Sequence, residues 1–261
     1  MKLLKGAMGA TIIALAALLL VSFIDAQAAP FNAQMNPVAI QKLKKLTDFM
    51  NHLQAFSVRT QNTMEDLLPS GHKVDIDVSA DVIIKRPNML RAERKGSRRT
   101  DQVFTYNGKT LTLYNPADKV YAVEALPGTI ETALGFAQQT LGITIPASDL
   151  IYQNNFNLLM QGVTMAADLG KTVINGVSCD HLLFSRPGVD FQVWIADKGD
   201  PLPYKYVVTD TSSPALMSFT TYMIGWNTKP NLKKVRFGFS APKGVKKIDF
   251  MPVNTTGGAG R

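Results

Sequence analysis

Residues 73–85 read KVDIDVSADVIIK, and this stretch decides the fold class. Every second residue from Val74 to Ile84 is apolar, whereas most of the residues between them are aspartate or serine. Successive side chains of a strand point to opposite faces, so the pattern predicts a β-strand with one buried face and one solvated face. A strand of this kind is typical of an antiparallel sheet that packs on a core with one side only.

The residues that follow repeat this pattern in shorter runs. Asn107-Gly108 stands between two of the runs and is a strong signal for a tight hairpin, because both residues tolerate positive φ. The region therefore predicts an antiparallel meander, whose further strands are expected at Met89–Arg94, Val103–Tyr106, Thr110–Tyr114 and Val120–Ala125.

Three segments have the spacing of helices. Apolar residues recur every three or four positions from Pro37 to Phe56, and proline suits the first turn of a helix. Pro127-Gly128 opens a second helix that runs to Leu141, and Ser148-Asp149 caps a third that runs to about Met160.

A second group of strands follows the third helix, so the chain is predicted to be an α+β protein with about three helices. These strands are expected at Gly162–Ala167, Lys171–Val173, Gly176–Phe184, Phe191–Ile195, Tyr204–Asp210, Met217–Trp226 and Val235–Ser240.

The N-terminus has the three parts of a secretory signal peptide: basic residues, an apolar run and a small-x-small site that ends at Ala28. An uncleaved membrane anchor is the alternative, and the small residues at the site favour cleavage after about Ala28. We expect a signal peptide at 1–28, a flexible leader at 29–36, one domain at 37–254 and a disordered tail at 255–261. The protein is therefore predicted to be periplasmic.

The formal net charge of +8 favours contact with anionic surfaces such as lipid headgroups, although a basic surface without such a role is equally compatible with it. Export argues against nucleic acid as a partner. Cys179 is the one cysteine of the chain, so no intrachain disulfide can form.

Cys179-Asp180-His181 is the one arrangement that suggests chemistry. On a strand, Cys179 and His181 share a face, where they could act as a nucleophile and its base or as two metal ligands. A buried cysteine beside a hydrogen-bonded histidine is the simpler interpretation. Ser240 and Lys243 have the spacing of a serine acyltransferase pair, but Pro242 between them opposes the helix that such a pair needs. We predict no enzyme activity, no catalytic residues, no metal and no cofactor.

Several turn and strand motifs occur together in a characteristic order. They are Lys85-Arg86-Pro87-Asn88-Met89-Leu90-Arg91, Tyr106-Asn107-Gly108-Lys109, Tyr114-Asn115-Pro116, Gly176-Val177-Ser178-Cys179-Asp180-His181-Leu182, Phe191-Gln192-Val193-Trp194-Ile195 and Leu202-Pro203-Tyr204-Lys205. In this order the chain resembles the superfamily of the periplasmic lipoprotein carrier LolA, and most of all the predicted periplasmic family called domain of unknown function 2092. The resemblance covers Pro37 to about Phe250.

The resemblance implies a LolA/LppX-like fold, in which a strongly curved, open antiparallel sheet (a half-barrel) wraps helices around an apolar cavity. It also implies a non-catalytic carrier of a lipid, a lipoprotein or another hydrophobic ligand. The alternative is an envelope sensory or scaffolding domain that binds another protein without a lipid ligand. An anionic membrane surface is a further possible partner.

Alternation along two strands gives candidate pocket residues, namely Val177, Cys179, His181, Leu183, Phe191, Val193 and Ile195. A basic cluster gives candidate contacts to headgroups or to a partner, namely Arg86, Arg91, Arg94, Lys95, Arg98 and Arg99.

Overall fold

The strand at residues 73–85 is confirmed, and it lies near the middle of a large sheet. A computed structural model describes residues 35–96, 101–143 and 145–251. The signal peptide, most of the leader and the tail expected from the sequence lie outside the described residues.

Within the described residues, the sheet has twelve strands in the order β12-β6-β5-β4-β3-β2-β1-β11-β10-β9-β8-β7. The strands are β1 (Ala55–Leu67), β2 (Lys73–Lys85), β3 (Met89–Gly96), β4 (Gln102–Tyr106), β5 (Thr110–Asn115), β6 (Val120–Ala125), β7 (Met165–Ile174), β8 (Val177–Arg186), β9 (Val189–Ala196), β10 (Pro203–Asp210), β11 (Ser218–Asn227) and β12 (Lys246–Lys247).

Two meanders make up this sheet, β1–β6 and β7–β11, and they join where β1 pairs with β11. Neighbouring strands are antiparallel except at one edge, where the two-residue strand β12 runs parallel to β6. The two outermost strands, β12 and β7, do not pair with each other, so the sheet is open. The predicted α+β half-barrel is confirmed.

Three α-helices are present in the described part of the chain: α1 (Pro37–His52), α2 (Ile130–Gln139) and α3 (Asn155–Met160). α1 begins where predicted. The side chain of Asn36 accepts hydrogen bonds from the backbone amides of Val38 and Ala39, and Pro37 is the first residue of the helix. The centre of its apolar stripe is buried, with Leu43 and Leu46 at 0% exposure. None of the described helices is long and apolar enough to cross a membrane.

Several expectations about elements are wrong. The strands expected at Gly162–Ala167 and Lys171–Val173 form one strand, β7, with a bulge between Asp168 and Lys171. α1 ends at His52 rather than at Phe56, because Leu53 takes up extended backbone and the strand β1 follows at once. The third helix is interrupted, because Asn154 has a φ of 59° and separates a 3-10 turn at Ser148–Leu150 from α3.

Val235–Ser240 forms no strand, and residues 236–239 instead lie against the outer face of the first meander. Phe239 packs there on Tyr114 and Tyr121, at ring distances of 5.2 and 5.0 Å. The alternation that suggested a strand comes from Phe237, which is buried, and from Phe239.

Candidate ligand cavity

An apolar cavity of about 140 Å³ lies between the first meander and the α2 region. One wall is the concave face of β1–β5, and the opposite wall is formed by Leu134 of α2, Met50 of α1 and the segment that follows α2. This following segment contributes Ile143, Ile145, Pro146, Ala147, Leu150 and Ile151.

The register of the sheet builds the strand wall in rows. Cross-strand partners share a face, and pairing places the following residues in one continuous row: Val58, Val82, Ala92, Phe104 and Leu113. All of them line the cavity. The neighbouring row on the side away from the β1–β2 hairpin includes Phe56 and Leu90. Its residues are at most 3% exposed, and they close the inner end of the cavity.

The next row toward the β1–β2 hairpin is polar. Pairing aligns Thr60 with Ala80, Ala80 with Arg94, and Arg94 with Gln102. All four residues line the cavity, and the Arg94 guanidinium donates a hydrogen bond of 3.4 Å to the side-chain oxygen of Gln102. The cavity is therefore apolar at its inner end and carries one cation among neutral polar groups further out.

Beyond Thr60, a buried network continues along β1. The Asn62 amide donates to the Thr60 hydroxyl at 2.9 Å and to the Val78 carbonyl at 3.3 Å, and its oxygen accepts from Thr221 at 3.0 Å. Asn62 is 3% exposed, so these bonds satisfy a polar group that would otherwise destabilise the core.

Hydrogen bonds hold the segment that covers the cavity. Arg86, at the turn between β2 and β3, donates to the Ile151 carbonyl at 2.6 Å and lies 3.7 Å from Glu131. Burial lowers the pKa of the Arg86 guanidinium, while the charge of Glu131 opposes this shift. Tyr206 of β10 donates to Asp149 at 3.2 Å, so both meanders contact the covering segment.

The predicted pocket residues lie on the other meander. Phe191, Val193 and Ile195 face the buried core, where Leu182 and Phe184 of β8 join them. Val177, Cys179, His181 and Leu183 alternate with Leu182 and Phe184 along β8. None of the predicted residues, all of which the structure describes, lines the cavity. Their contact with a ligand stays a prediction.

The environments of Cys179 and His181 do not favour a catalytic pair. Burial raises the pKa of the Cys179 thiol to about 11, with Asp197 and Asp180 adding to the shift. The His181 ring stacks on Trp194 at 4.0 Å and its Nε2 bonds to Gln192 at 2.8 Å. Over the described ranges, no group of three or more potential ligands could hold a metal ion.

The basic cluster divides into residues with different surroundings. Arg86 holds the covering segment, and Arg91 on the outer face bonds to Glu93 at 2.7 Å and to the Arg236 carbonyl at 3.2 Å. Lys95 is exposed, and Arg94 lines the cavity. Arg98 and Arg99 lie outside the described residues.

Sequence reasoning missed β1, and with it Thr60 and Asn62. A signal was present, because Phe56, Val58 and Met64 alternate with polar residues on the same strand. Thr60 and Asn62 obscure that signal, since they place polar side chains on the face that points inward.

Comparisons with known proteins identify the family of the chain. A family model described as "Predicted periplasmic protein (DUF2092)" matches residues 39–251. No curated protein gives a match to the sequence.

Among solved structures, the lipoprotein LppX of Mycobacterium tuberculosis is 17% identical to this chain, with a TM-score of 0.49. The match covers 76% of this chain and 100% of the LppX chain. An uncharacterized conserved protein of Thermus thermophilus is 12% identical, with a TM-score of 0.48 and coverages of 81% and 99%. LprF of Mycobacterium bovis is 15% identical, with a TM-score of 0.47 and coverages of 80% and 100%.

Proposed function

This chain belongs to the DUF2092 family of predicted periplasmic proteins, and we propose that it is a non-catalytic periplasmic protein that binds a lipid, a lipoprotein chain or another hydrophobic ligand. The family description confirms the predicted location. The observation that carries the proposal is the cavity of about 140 Å³ with Val58, Ala92, Phe104 and Leu113 on its sheet wall.

The size of the cavity sets the binding energy to expect. A cavity of about 150 Å³ accommodates a molecule the size of benzene, so one of about 140 Å³ holds about six carbons of a ligand. At about 0.8 kcal/mol per buried CH₂, six methylenes contribute about 5 kcal/mol gross. The costs of association and ordering reduce this figure, so binding is expected to be reversible, as a carrier requires.

The two tryptophans give an internal test, because Trp226 lines the cavity and Trp194 does not. In a Trp194→Phe variant, Trp226 is the one tryptophan left, and its emission should shift to shorter wavelength as a ten-carbon chain displaces water beside the ring. A Trp226→Phe variant, which keeps Trp194, is the matched control and should show no shift. An unchanged Trp226 spectrum at saturating amphiphile would contradict the proposal.

Extraction of the purified periplasmic protein with organic solvent, followed by mass spectrometry, gives an independent test. We expect a compound with an apolar chain at up to one equivalent per protein. If extraction yields none and no amphiphile binds, the carrier proposal is wrong, and binding to another envelope protein becomes the function to test by crosslinking in the periplasm.

A further inference from the structure

Arg94 occupies a defined position in the cavity. It lies four residues along β3 from the buried Leu90, which at about 3.4 Å per residue is a separation of about 14 Å. Leu90 is 3% exposed, whereas Arg94 and Gln102 are only partly buried. An elongated ligand with its tail at Leu90 therefore has its other end near Arg94.

Arg94 lacks the partner that comparable arginines have. Arg59, Arg86 and Arg91 each lie within 4 Å of a carboxylate. Among the residues that the structure describes, no carboxylate is within ion-pair distance of Arg94, and the neutral Gln102 oxygen at 3.4 Å is its hydrogen-bond acceptor. A partly buried guanidinium with one weak acceptor has donors left for an anion.

Thr60 adds a second donor in the same row. Its oxygen accepts the Asn62 amide at 2.9 Å, and for its own proton no acceptor lies within reach in the described part of the chain. Ala80 stands between Thr60 and Arg94 in the register, and its small side chain leaves the space between them open. The Thr60 hydroxyl and the Arg94 guanidinium can therefore both donate to the same ligand group, placed over the Ala80 side chain.

The cavity volume limits the apolar part of the ligand. Room for about six carbons suits one acyl chain and not two chains side by side. We propose that the ligand is a single-chain amphiphile with an anionic oxygen headgroup, a carboxylate or a phosphate, and that Arg94 binds this headgroup. This inference rests on the proposed function.

Calorimetric titration with decanoate, decyl phosphate and decanol tests the headgroup. The wild-type protein should bind either anion at least about tenfold more tightly than decanol, the effect of one charge-assisted hydrogen bond. The tighter of the two anions identifies the headgroup. Arg94→Gln should abolish the preference while decanol affinity is kept, and Arg94→Lys should retain part of it.

Lys95→Gln is the matched control, because Lys95 is the next residue and lies on the outer face of β3. It removes the same charge and should leave the preference intact. If the wild-type protein binds decanoate and decanol with equal affinity, that result alone would overturn the headgroup assignment. A preference that survives Arg94→Gln would overturn it as well.

Chain length tests the single-chain assignment. Affinity for carboxylates should rise about fourfold per added methylene until the chain fills the cavity and then level off. A two-chain phospholipid that binds as tightly as decanoate would overturn the assignment. Failure of every amphiphile, decanol included, would instead count against the proposed function, so the two failures are distinguishable.

Discussion

Filling the cavity from the sheet side should weaken binding without weakening the fold. Ala92 lies at the centre of the apolar row, and Ala92→Leu adds three carbons to a space that holds about six. The ligand then loses the burial of about three methylenes, which at about 0.8 kcal/mol each is about 2.4 kcal/mol, or an affinity about 60-fold lower.

Calorimetry with decanoate measures this loss, and urea denaturation measures the stability of the same variant. The free energy of unfolding should stay equal or rise by about 1 kcal/mol, because the added carbons fill existing space. Ser79→Leu is the control, since Ser79 lies on the outer face of β2, and it should bind like the wild-type protein. If Ala92→Leu binds decanoate normally, the cavity is not where the chain binds, and if the variant unfolds more easily, the space beside Ala92 is not empty.

Three further predictions concern the framework. Arg86→Met should lower the free energy of unfolding by about 2 kcal/mol, because the partly buried Ile151 carbonyl loses a charged donor; urea denaturation that shows a wild-type value would contradict this. Cys179 should react slowly with iodoacetamide at pH 8, where a thiol with a pKa of about 11 is about one-thousandth ionised, and quickly in urea; rapid labelling of the native protein would refute its burial. The hydrogen bond from Lys73 lowers the pKa of Glu65, so this carboxylate stabilises the fold above its usual pKa and the effect is lost as the pH falls through the lowered value. Glu65→Gln should therefore cost up to about 1 kcal/mol at pH 7 and nothing in strong acid, and a deficit that persists in acid would contradict this assignment.

The sequence predicts the sheet well where its two faces differ in polarity. β2 shows this most clearly, because aspartate and serine alternate with aliphatic residues along it. β1 lacks that contrast, since its inward face carries Thr60 and Asn62. The apolar spacing of the preceding helix also continues to Phe56, which lies in the strand. Phe237 and Phe239 produce the opposite error, because alternating burial arises there without strand pairing.

The cavity itself is harder to predict, because alternation shows which residues share a face but not where empty space lies. On β8, Leu182 and Phe184 face the core, while the predicted Cys179 and His181 alternate with them; both sets include apolar residues, so the sequence alone cannot rank the faces. The unfilled space lies instead along the first meander, because the side chains of Ala80 and Ala92 are small. Arg94 was among the predicted headgroup contacts, and the register explains why it differs from Arg91, three residues earlier on the outer face.

The most direct test of a chain in the cavity is a crystal structure of the protein with 10-bromodecanoate, in which anomalous scattering locates the bromine. We predict one bromine peak at the inner end, beside Leu90 and Leu134, which lies about 14 Å from Arg94 along β3. A bromine bound on the outer face of the sheet, or a cavity without density in crystals soaked at saturating ligand, would contradict the account.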